Sequence, residues 1–410
     1  MSDSGWSRRE LLKSAGTGAV ALATGAAIYQ RMTPYVVGAR SDAGVAAASS
    51  VSDTDPRRID LTAHTPWHLV RGTFSSSRVE ALHAREDVAF VQPDRWLETV
   101  ATPQSDADRE QTIPWGSARV GATVVHDAGH TAAGVDIGVI DTGIEATHPA
   151  LEANVAPPEA ADAHKSWVDC QGNACDYAWS DDSGHGTHVA GTAAAADTTT
   201  GTLGVAPEAT LHALKVCGSS GRCRTSAIAK AIRYAADNGW DVINLSLGAP
   251  QRSPALQAAG EYAIESGVVP VAAAGNQGRP DSVNYPAAYD EFLAVSATTI
   301  DDEIARFSSR GSAVDLAAPG ADVCAPIIDG YGSRSGTSMA APHVAGAVAH
   351  MVADGASPMD ARRRLAETAE DIDRPATEQG AGLVNVAAAL GYDHDGGTGD
   401  GVSCPTDLSQ

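Results

Sequence analysis

Three polar residues in this 410-residue chain have the types and surroundings needed to activate a serine hydroxyl. Asp141 directly follows an apolar run, His185 stands between two glycines, and Ser338 follows a Gly-Thr pair that opens a helical pattern. A carboxylate can hold an imidazole in one tautomer, and that imidazole can take the proton of a serine that attacks a carbonyl. Each residue alone has an ordinary explanation, as a strand-end cap, a core histidine or a helix N-cap. Their conjunction predicts nucleophilic catalysis.

The chain around these residues alternates between apolar strands and helical segments from about Gln111 onward. Such alternation predicts an α/β fold in three layers, with a mostly parallel sheet and helices on both of its faces. In such sheets active sites collect at the carboxyl ends of the strands, where Asp141 stands. The predicted helices Thr225–Asn238 and Pro254–Ser266 each end at a glycine. The predicted strands are Val135–Ile140, Leu211–Val216, Val242–Leu247, Val268–Ala273 and Leu293–Ala297.

The three complete motifs, in the chain order Asp, His, Ser, resemble those of the subtilisin-like serine proteases (subtilases, peptidase family S8). The resemblance covers roughly residues 111–390 and the segment before them. It implies that Ser338 attacks the scissile carbonyl to form an acyl-enzyme, while His185 accepts and returns the proton and Asp141 orients the imidazole. It further implies that Asn276 donates its side-chain amide to the oxyanion. The implied activity is that of a serine endopeptidase acting on polypeptides.

The same resemblance implies a substrate cleft with two walls. One wall is a strand end to which an extended peptide adds as a further strand. The other wall follows the strand before Asn276 and bounds the first specificity pocket. Asn284 stands where family members often have glycine at the floor of that pocket, so we expect a shallower, more polar pocket that accepts large aromatic side chains less well. The implied substrate-binding residues are Ser246, Leu247, Gly248, Ala273, Ala274, Gly275 and Asn284.

The ends of the chain predict an exported precursor. Arg8-Arg9 precede a weakly apolar run, so residues 1–33 resemble a twin-arginine export signal. Residues 34–110 form a small α+β unit that resembles the inhibitory propeptides of the family, with polar residues from Ala101 that suit cleavage. We therefore predict a peptidase domain over 111–392, a flexible acidic tail over 393–410, and a propeptide that inhibits its own enzyme before maturation is complete.

Six cysteines favour disulfides in an exported protein. Two pairs lie close in sequence across glycine-containing turns, and the remaining two could tie down the C-terminal tail. Six cysteines allow fifteen connectivities, and six buried thiols remain the alternative. Zinc is not expected, since no histidine has ligand spacing from either close pair. The favoured pairs are Cys170–Cys175, Cys217–Cys223 and Cys324–Cys404.

The charge of this chain limits its partners. The formal net charge is −23 and only four residues are lysine. Phosphate would be repelled, so nucleic acid is excluded as a partner. An acidic, lysine-poor surface suits concentrated salt, although an ordinary acidic protein is the alternative. No segment is long and apolar enough to span a membrane, so we expect no membrane association after export, and a monomer.

No cofactor is required for the predicted chemistry, but the family resemblance raises the question of structural calcium. Gln111 and the loop Ala196–Thr202 resemble the strong calcium site of the family. However, Ala150 stands where that site needs a carboxylate, and Thr198 replaces an amide ligand. Loss of a hard anionic oxygen weakens Ca²⁺ binding, so we expect this site to be incomplete and leave the metal ligands unknown.

Two other functions are compatible with parts of the sequence. Asp141-Thr142-Gly143 is also the motif of aspartic proteases, which need two carboxylates sharing a proton. The nearest second motif, Asp182-Ser183-Gly184, runs directly into the His185 segment. A secreted binding protein on a decayed protease fold is the other alternative. The fluorophosphonate sensitivity of a serine enzyme would distinguish the first, and self-cleavage the second.

Overall fold

The structure is a computed structural model that describes residues 34–99, 102–103, 111–172, 175–198, 201–398 and 404. The chain divides into two compact units, the first ending at Asp94 and the second beginning at Arg95. The predicted export signal at 1–33 and most of the tail lie outside the described residues. Among the helices that the described ranges contain, none is long and apolar enough to cross a membrane.

The first unit is an antiparallel sheet covered by two helices. Its strands are arranged in the order β2-β3-β1-β4, and Val37, Val70 and Phe74 lie in its core. This mixture of strands and helices is the α+β arrangement expected from the sequence. The elements are β1 (Pro34–Ala39), α1 (Asp42–Ser50), β2 (Arg57–Asp60), β3 (His68–Thr73), α2 (Ser76–His83) and β4 (Val88–Pro93).

The second unit is built on a seven-stranded parallel sheet. The predicted three-layer α/β class is confirmed, and the apolar runs form buried strands because the parallel sheet is covered on both faces. In the order of the sheet, the strands are β15 (Leu316–Pro319), β14 (Leu293–Thr298), β13 (Val269–Ala273), β11 (Val242–Leu245), β7 (Asp136–Asp141), β9 (Thr210–Lys215) and β8 (Lys165–Ser166).

The helices of this unit follow the strands in the expected alternation. Gly239 and Gly267, which end the two predicted helices, adopt left-handed φ angles of 68° and 84°. The helices are α3 (Trp115–Arg119), α4 (Ala122–Asp127), α5 (His185–Ala194), α6 (Thr225–Asp237), α7 (Pro254–Glu265), α8 (Thr337–Ala353), α9 (Pro358–Glu367), α10 (Ala376–Gln379) and α11 (Val386–Leu390).

Two small antiparallel sheets flank the large one. In the first, β5 (Trp96–Thr99) lies between β10 (Arg222–Arg224) and β12 (Leu247–Gly248). In the second, β6 (Thr102–Pro103) pairs with β17 (Gly330–Ser335), which also pairs with β16 (Val323–Ile327). The predicted strand Val242–Leu247 is therefore interrupted at Ser246, which separates β11 from β12.

Helix α8 contains a proline beyond its first turn. The helix begins at Thr337, so Pro342 lies inside it. Proline has no N–H, and the carbonyl four residues earlier, that of Ser338, loses its helical donor. The Ser246 hydroxyl donates to this carbonyl at 2.8 Å instead. The interruption between β11 and β12 thus supplies the missing hydrogen bond.

Three disulfides join the cysteines in the favoured pairs, Cys170–Cys175, Cys217–Cys223 and Cys324–Cys404. Cys324 lies in β16, so the third bridge attaches the tail at Cys404 to the second unit. The second bridge closes the turn that leads into β10.

Candidate active site

Asp141 and His185 meet at the carboxyl end of strand β7. Asp141 is the last residue of β7, and His185 is the first of α5. Gly184 adopts a φ of 77°, which glycine accepts readily and which turns the chain into the helix. His185 Nδ1 lies 2.7 Å from Asp141 Oδ1, and both side chains are buried. Because the carboxylate accepts the Nδ1 proton, Nε2 carries a lone pair. Nε2 is buried and has no hydrogen-bond partner within the described residues.

A second buried carboxylate, Asp181, ties the turn after β7 to the start of α5. Asp181 accepts hydrogen bonds from Thr142 Oγ1 at 2.8 Å and from the backbone N and Oγ1 of Thr187 at 2.9 and 2.6 Å. Thr142 Oγ1 in turn accepts from the Gly186 amide at 2.9 Å. Thr142 follows the aspartate of the pair and Gly186 follows the histidine, so this network fixes their relative position. Sequence reasoning did not identify this role of Asp181.

A buried ion pair lies next to the same turn. Lys215, at the end of β9, places Nζ 2.6 Å from Asp182 Oδ1 and also donates to the Thr142 carbonyl. The two side chains are only 0% and 1% exposed. Buried charges are stable only when they are paired and hydrogen-bonded, as here. The aspartic-protease alternative fails, because the Asp182 carboxylate pairs with an ammonium group and not with Asp141.

The second histidine of the α5 motif, His188, has a structural role. Its Nε2 lies 3.0 and 3.1 Å from the carbonyl oxygens of Val323 and Gly332. Complete burial lowers the pKa of His188 well below its usual value, and the nearby positive charge of Arg334 acts in the same direction. His188 therefore stays neutral and donates to these carbonyls, which join α5 to β16 and β17.

Ser338 is the second residue of α8 and is fully buried. Its Oγ donates to the Ser246 carbonyl at 3.0 Å and not to His185. A second hydrogen bond runs in the opposite direction, because the Ser246 hydroxyl donates to the Ser338 carbonyl. Asn244 Nδ2 donates to the Ser246 hydroxyl at 2.8 Å and orients it. For Ser338 to give its proton to His185, its hydroxyl must turn away from the Ser246 carbonyl.

The side chain of Asn276 is oriented by Thr337. Asn276 Oδ1 accepts hydrogen bonds from the Thr337 backbone N at 2.9 Å and from its hydroxyl at 2.8 Å. The same hydroxyl accepts from the Gly275 amide at 3.0 Å. With its oxygen held by Thr337, the Asn276 amide turns its NH₂ group away from Thr337. Sequence reasoning found Asn276 but not Thr337, although Thr337 directly precedes the predicted nucleophile.

Strand β5 lies between one predicted wall of the substrate cleft, at β12, and strand β10, which sequence reasoning did not assign to the cleft. Leu247 and Gly248 pair with Thr99 and Glu98, and the Thr99 amide donates to the Gly221 carbonyl at 2.9 Å. Strand β5 of the chain itself thus occupies the position at which an extended peptide was expected to add as a further strand.

Asn284 closes the space between the two walls and is buried. Its backbone amide donates to the Ala274 carbonyl, and its side-chain oxygen accepts from Gln277 Nε2 at 2.8 Å. A Cβ atom added at Gly275 would lie 2.6 Å from Asn284 Nδ2, and one added at Gly248 would lie 3.0 Å from Asn284 Cβ. Asn284 therefore packs directly against the backbone of Gly248 and Gly275, where a side chain on either residue would occupy its space. The neighbouring wall residues Ser246 and Ala273 are also buried.

Gln111 and Ala150, two of the residues compared with a calcium site, have defined surroundings in the structure. Gln111 donates its side-chain nitrogen to the Ala196 carbonyl at 3.4 Å, so the amide presents a donor there and not an oxygen. Ala150 is buried and brings only a methyl group. Throughout the described ranges, no group of three or more His, Cys, Asp or Glu side chains is arranged to hold a metal ion. No step of the chemistry below uses a metal at this loop.

Comparison with known proteins agrees with this geometry. The family model described as the subtilase family (peptidase S8) matches residues 132–383. The chain is 39% identical over 323 residues to subtilisin E of Bacillus subtilis, covering 77% of this chain and 79% of that protein. It is 43% identical over 286 residues to subtilisin DY of Bacillus licheniformis, covering 68% and 99% of the two chains. An alkaline protease of Alkalihalobacillus alcalophilus is 39% identical over 322 residues, which are 77% of each chain. The chain belongs to the subtilase family and is a serine-type endopeptidase.

Proposed function

We propose that Ser338, His185 and Asp141 are the catalytic residues of this endopeptidase. Ser338 Oγ attacks the carbonyl carbon of the scissile bond while His185 Nε2 takes its proton, giving a tetrahedral intermediate. His185 then returns the proton to the leaving amine, and water repeats the sequence on the acyl-enzyme. The observation that carries the proposal is the 2.7 Å contact of Asp141 with His185 Nδ1, which leaves a buried Nε2 ready to accept a proton.

Asn276 and the Ser338 backbone N–H are the proposed donors to the oxyanion. The contacts of Thr337 hold the oxygen of the Asn276 amide, so its NH₂ group is aimed before the substrate arrives. Such preorganised donors stabilise charge that develops only in the transition state. Thr337 is a positioning residue in this scheme, because it acts through Asn276.

The chain is further proposed to be a precursor whose residues 34–110 inhibit the enzyme. Strand β5 pairs with both β10 and β12, and β6 pairs with Arg334 and Ser335, just before Ser338. A segment held on both sides of the nucleophile has the arrangement of a bound substrate and blocks access of other peptides. We therefore expect maturation to cut a bond between Thr99 and Thr102.

Export and high-salt adaptation belong to the same proposal. Arg8 and Arg9 support secretion through a twin-arginine system, and three disulfides suit an oxidising compartment. The formal charge of −23 supports function in concentrated salt, where self-repulsion is screened. Replacing Arg8 and Arg9 by lysine should retain the precursor inside the cell. The free energy of unfolding should rise from low to molar salt.

The central test compares the full chain with its Ser338→Ala variant. The wild type should be labelled by a serine-reactive fluorophosphonate, and N-terminal sequencing should find a product that begins between residues 100 and 102. Ser338→Ala should remain unlabelled and uncut, whereas Ser357→Ala, at the N-cap of α9, should behave as wild type. Processing or labelling that survives Ser338→Ala would refute the assignment.

A further inference from the structure

Two arginines on β10 enclose an exposed aromatic ring of β5. Arg224 Cζ lies 3.9 Å from the centroid of the Trp96 ring, and Arg222 Cζ lies 4.9 Å from it. Trp96 is 41% exposed, so burial among apolar side chains does not explain its position. A guanidinium group over an aromatic face is attracted by the ring quadrupole, and arginine also stacks on the ring through its plane.

The register of the two strands explains why these side chains meet. Trp96 lies opposite Arg224, and Glu98 lies opposite Arg222, so all four side chains project from one face of the pair. Leu97 points to the other face, where it is 3% exposed. The outer face therefore presents an aromatic and an acidic side chain to two arginines, with Arg222 Nε 3.9 Å from Glu98 Oε1.

The position of the arginines does not depend on β5 alone. Cys223 stands between them in the sequence, and its disulfide to Cys217 holds the inner face of β10 to the preceding turn. Neighbouring residues of a strand point to opposite faces, so a strand fixed through Cys223 directs Arg222 and Arg224 outward. The backbone of this strand remains part of the cleft after any occupant has left.

We propose that Arg222 and Arg224 form a substrate subsite that binds an aromatic side chain at the position of Trp96. A carboxylate is favoured two residues closer to the scissile bond, at the position of Glu98. This subsite rests on the proposed function, in which substrates bind as a strand between β10 and β12. The two preferences differ in their response to salt. The exposed Arg222–Glu98 contact is screened, whereas the stacked ring keeps its contact when ions are added.

The test uses quenched fluorescent peptides of the chain's own sequence 95–104 and enzyme obtained by expressing the full chain. With wild-type enzyme, Trp96→Ala in the peptide should lower kcat/KM about three- to tenfold, and Trp96→Phe should lower it less. Glu98→Gln in the peptide should matter only at low salt. A peptide of residues 97–104, which lacks the aromatic position, measures the basal activity.

The matching enzyme variant is Arg222→Ala/Arg224→Ala, with Arg363→Ala on α9 as an exposed arginine away from the cleft. At molar salt, where the contact of Arg222 with Glu98 is screened, the double variant should lose the preference for Trp96 and cleave the 97–104 peptide within about twofold of wild type. If the double variant does not mature, Arg222→Lys/Arg224→Lys keeps both charges, and it should reduce the preference without abolishing it.

Two results would overturn the subsite. One is equal cleavage by wild type of the unsubstituted 95–104 peptide and of the same peptide carrying Trp96→Ala. The other is an unchanged preference in the arginine variants. Failure of the proposed function gives a different result, because in that case Ser338→Ala would still cleave the 97–104 peptide. The peptide substitutions leave the enzyme unchanged, so their result cannot come from misfolding.

Discussion

The two halves of the candidate active site are built in different ways. Asp141 and His185 are already in contact, and a closed network through Asp181 surrounds them. The Ser338 hydroxyl, by contrast, donates a hydrogen bond to the Ser246 carbonyl. The pair that stabilises the charge developing on the imidazole must not reorganise during the reaction, whereas a nucleophile must change its hydrogen-bond partner. Rigidity is therefore concentrated in the half of the site that orients charge.

Breaking the rigid half should have the largest effect. In Asp141→Asn the amide NH₂ can donate to His185 Nδ1, so Nε2 would carry the proton and could no longer act as a base. We expect kcat to fall by about 10⁴ with little change in fold. Initial rates on a short peptide and circular dichroism measure the two effects. A fall of less than about tenfold would show that Asp141 does not set the tautomer of His185.

The second half should respond less strongly at its oxyanion donor. Asn276→Ala removes the proposed donor, and we expect kcat to fall by about 10²–10³ with KM nearly unchanged, as for the equivalent donor in subtilisin. Thr337→Val removes one of the two bonds to Asn276 Oδ1, and kcat should fall by about tenfold. The double variant should equal Asn276→Ala, because Thr337 acts only through Asn276. Additive losses in the double variant would contradict that role.

In both halves of the site, the sequence predicted the local motifs but not the contacts that support them. The strands, the glycine-ended helices and the residues of the triad follow from local periodicity and motifs. The contacts of Asp181, Lys215 and Thr337 do not, because they join side chains that come together only in the folded chain.

The ion pair of Lys215 with Asp182 stabilises the turn after β7, next to the Asp141–His185 half of the site. Lys215→Met leaves a buried carboxylate without its partner and removes a donor from the Thr142 carbonyl. We expect the free energy of unfolding to fall by about 3 kcal/mol, and the Lys215→Met/Asp182→Leu double variant to recover most of this loss. Urea denaturation in the Ser338→Ala background, which prevents self-digestion, provides the measurement. A double variant as unstable as Lys215→Met alone would show that the pair is not the source of the effect.

The smallest expected effect concerns Ser246, which supports the second half. Ser246→Ala leaves the Ser338 carbonyl without a donor, because Pro342 cannot supply the helical N–H. We expect a loss of about 1–2 kcal/mol in the free energy of unfolding. Pro342→Ala restores a backbone N–H at the right position, so in that background Ser246→Ala should cost less and retain only the loss of the acceptor for Asn244 Nδ2. Thermal unfolding of the four proteins of this cycle, again with Ser338→Ala, measures the coupling. If Ser246→Ala costs the same with and without Pro342, then the hydroxyl does not replace the missing helical hydrogen bond, and the interruption between β11 and β12 serves only to present the Ser246 carbonyl to Ser338.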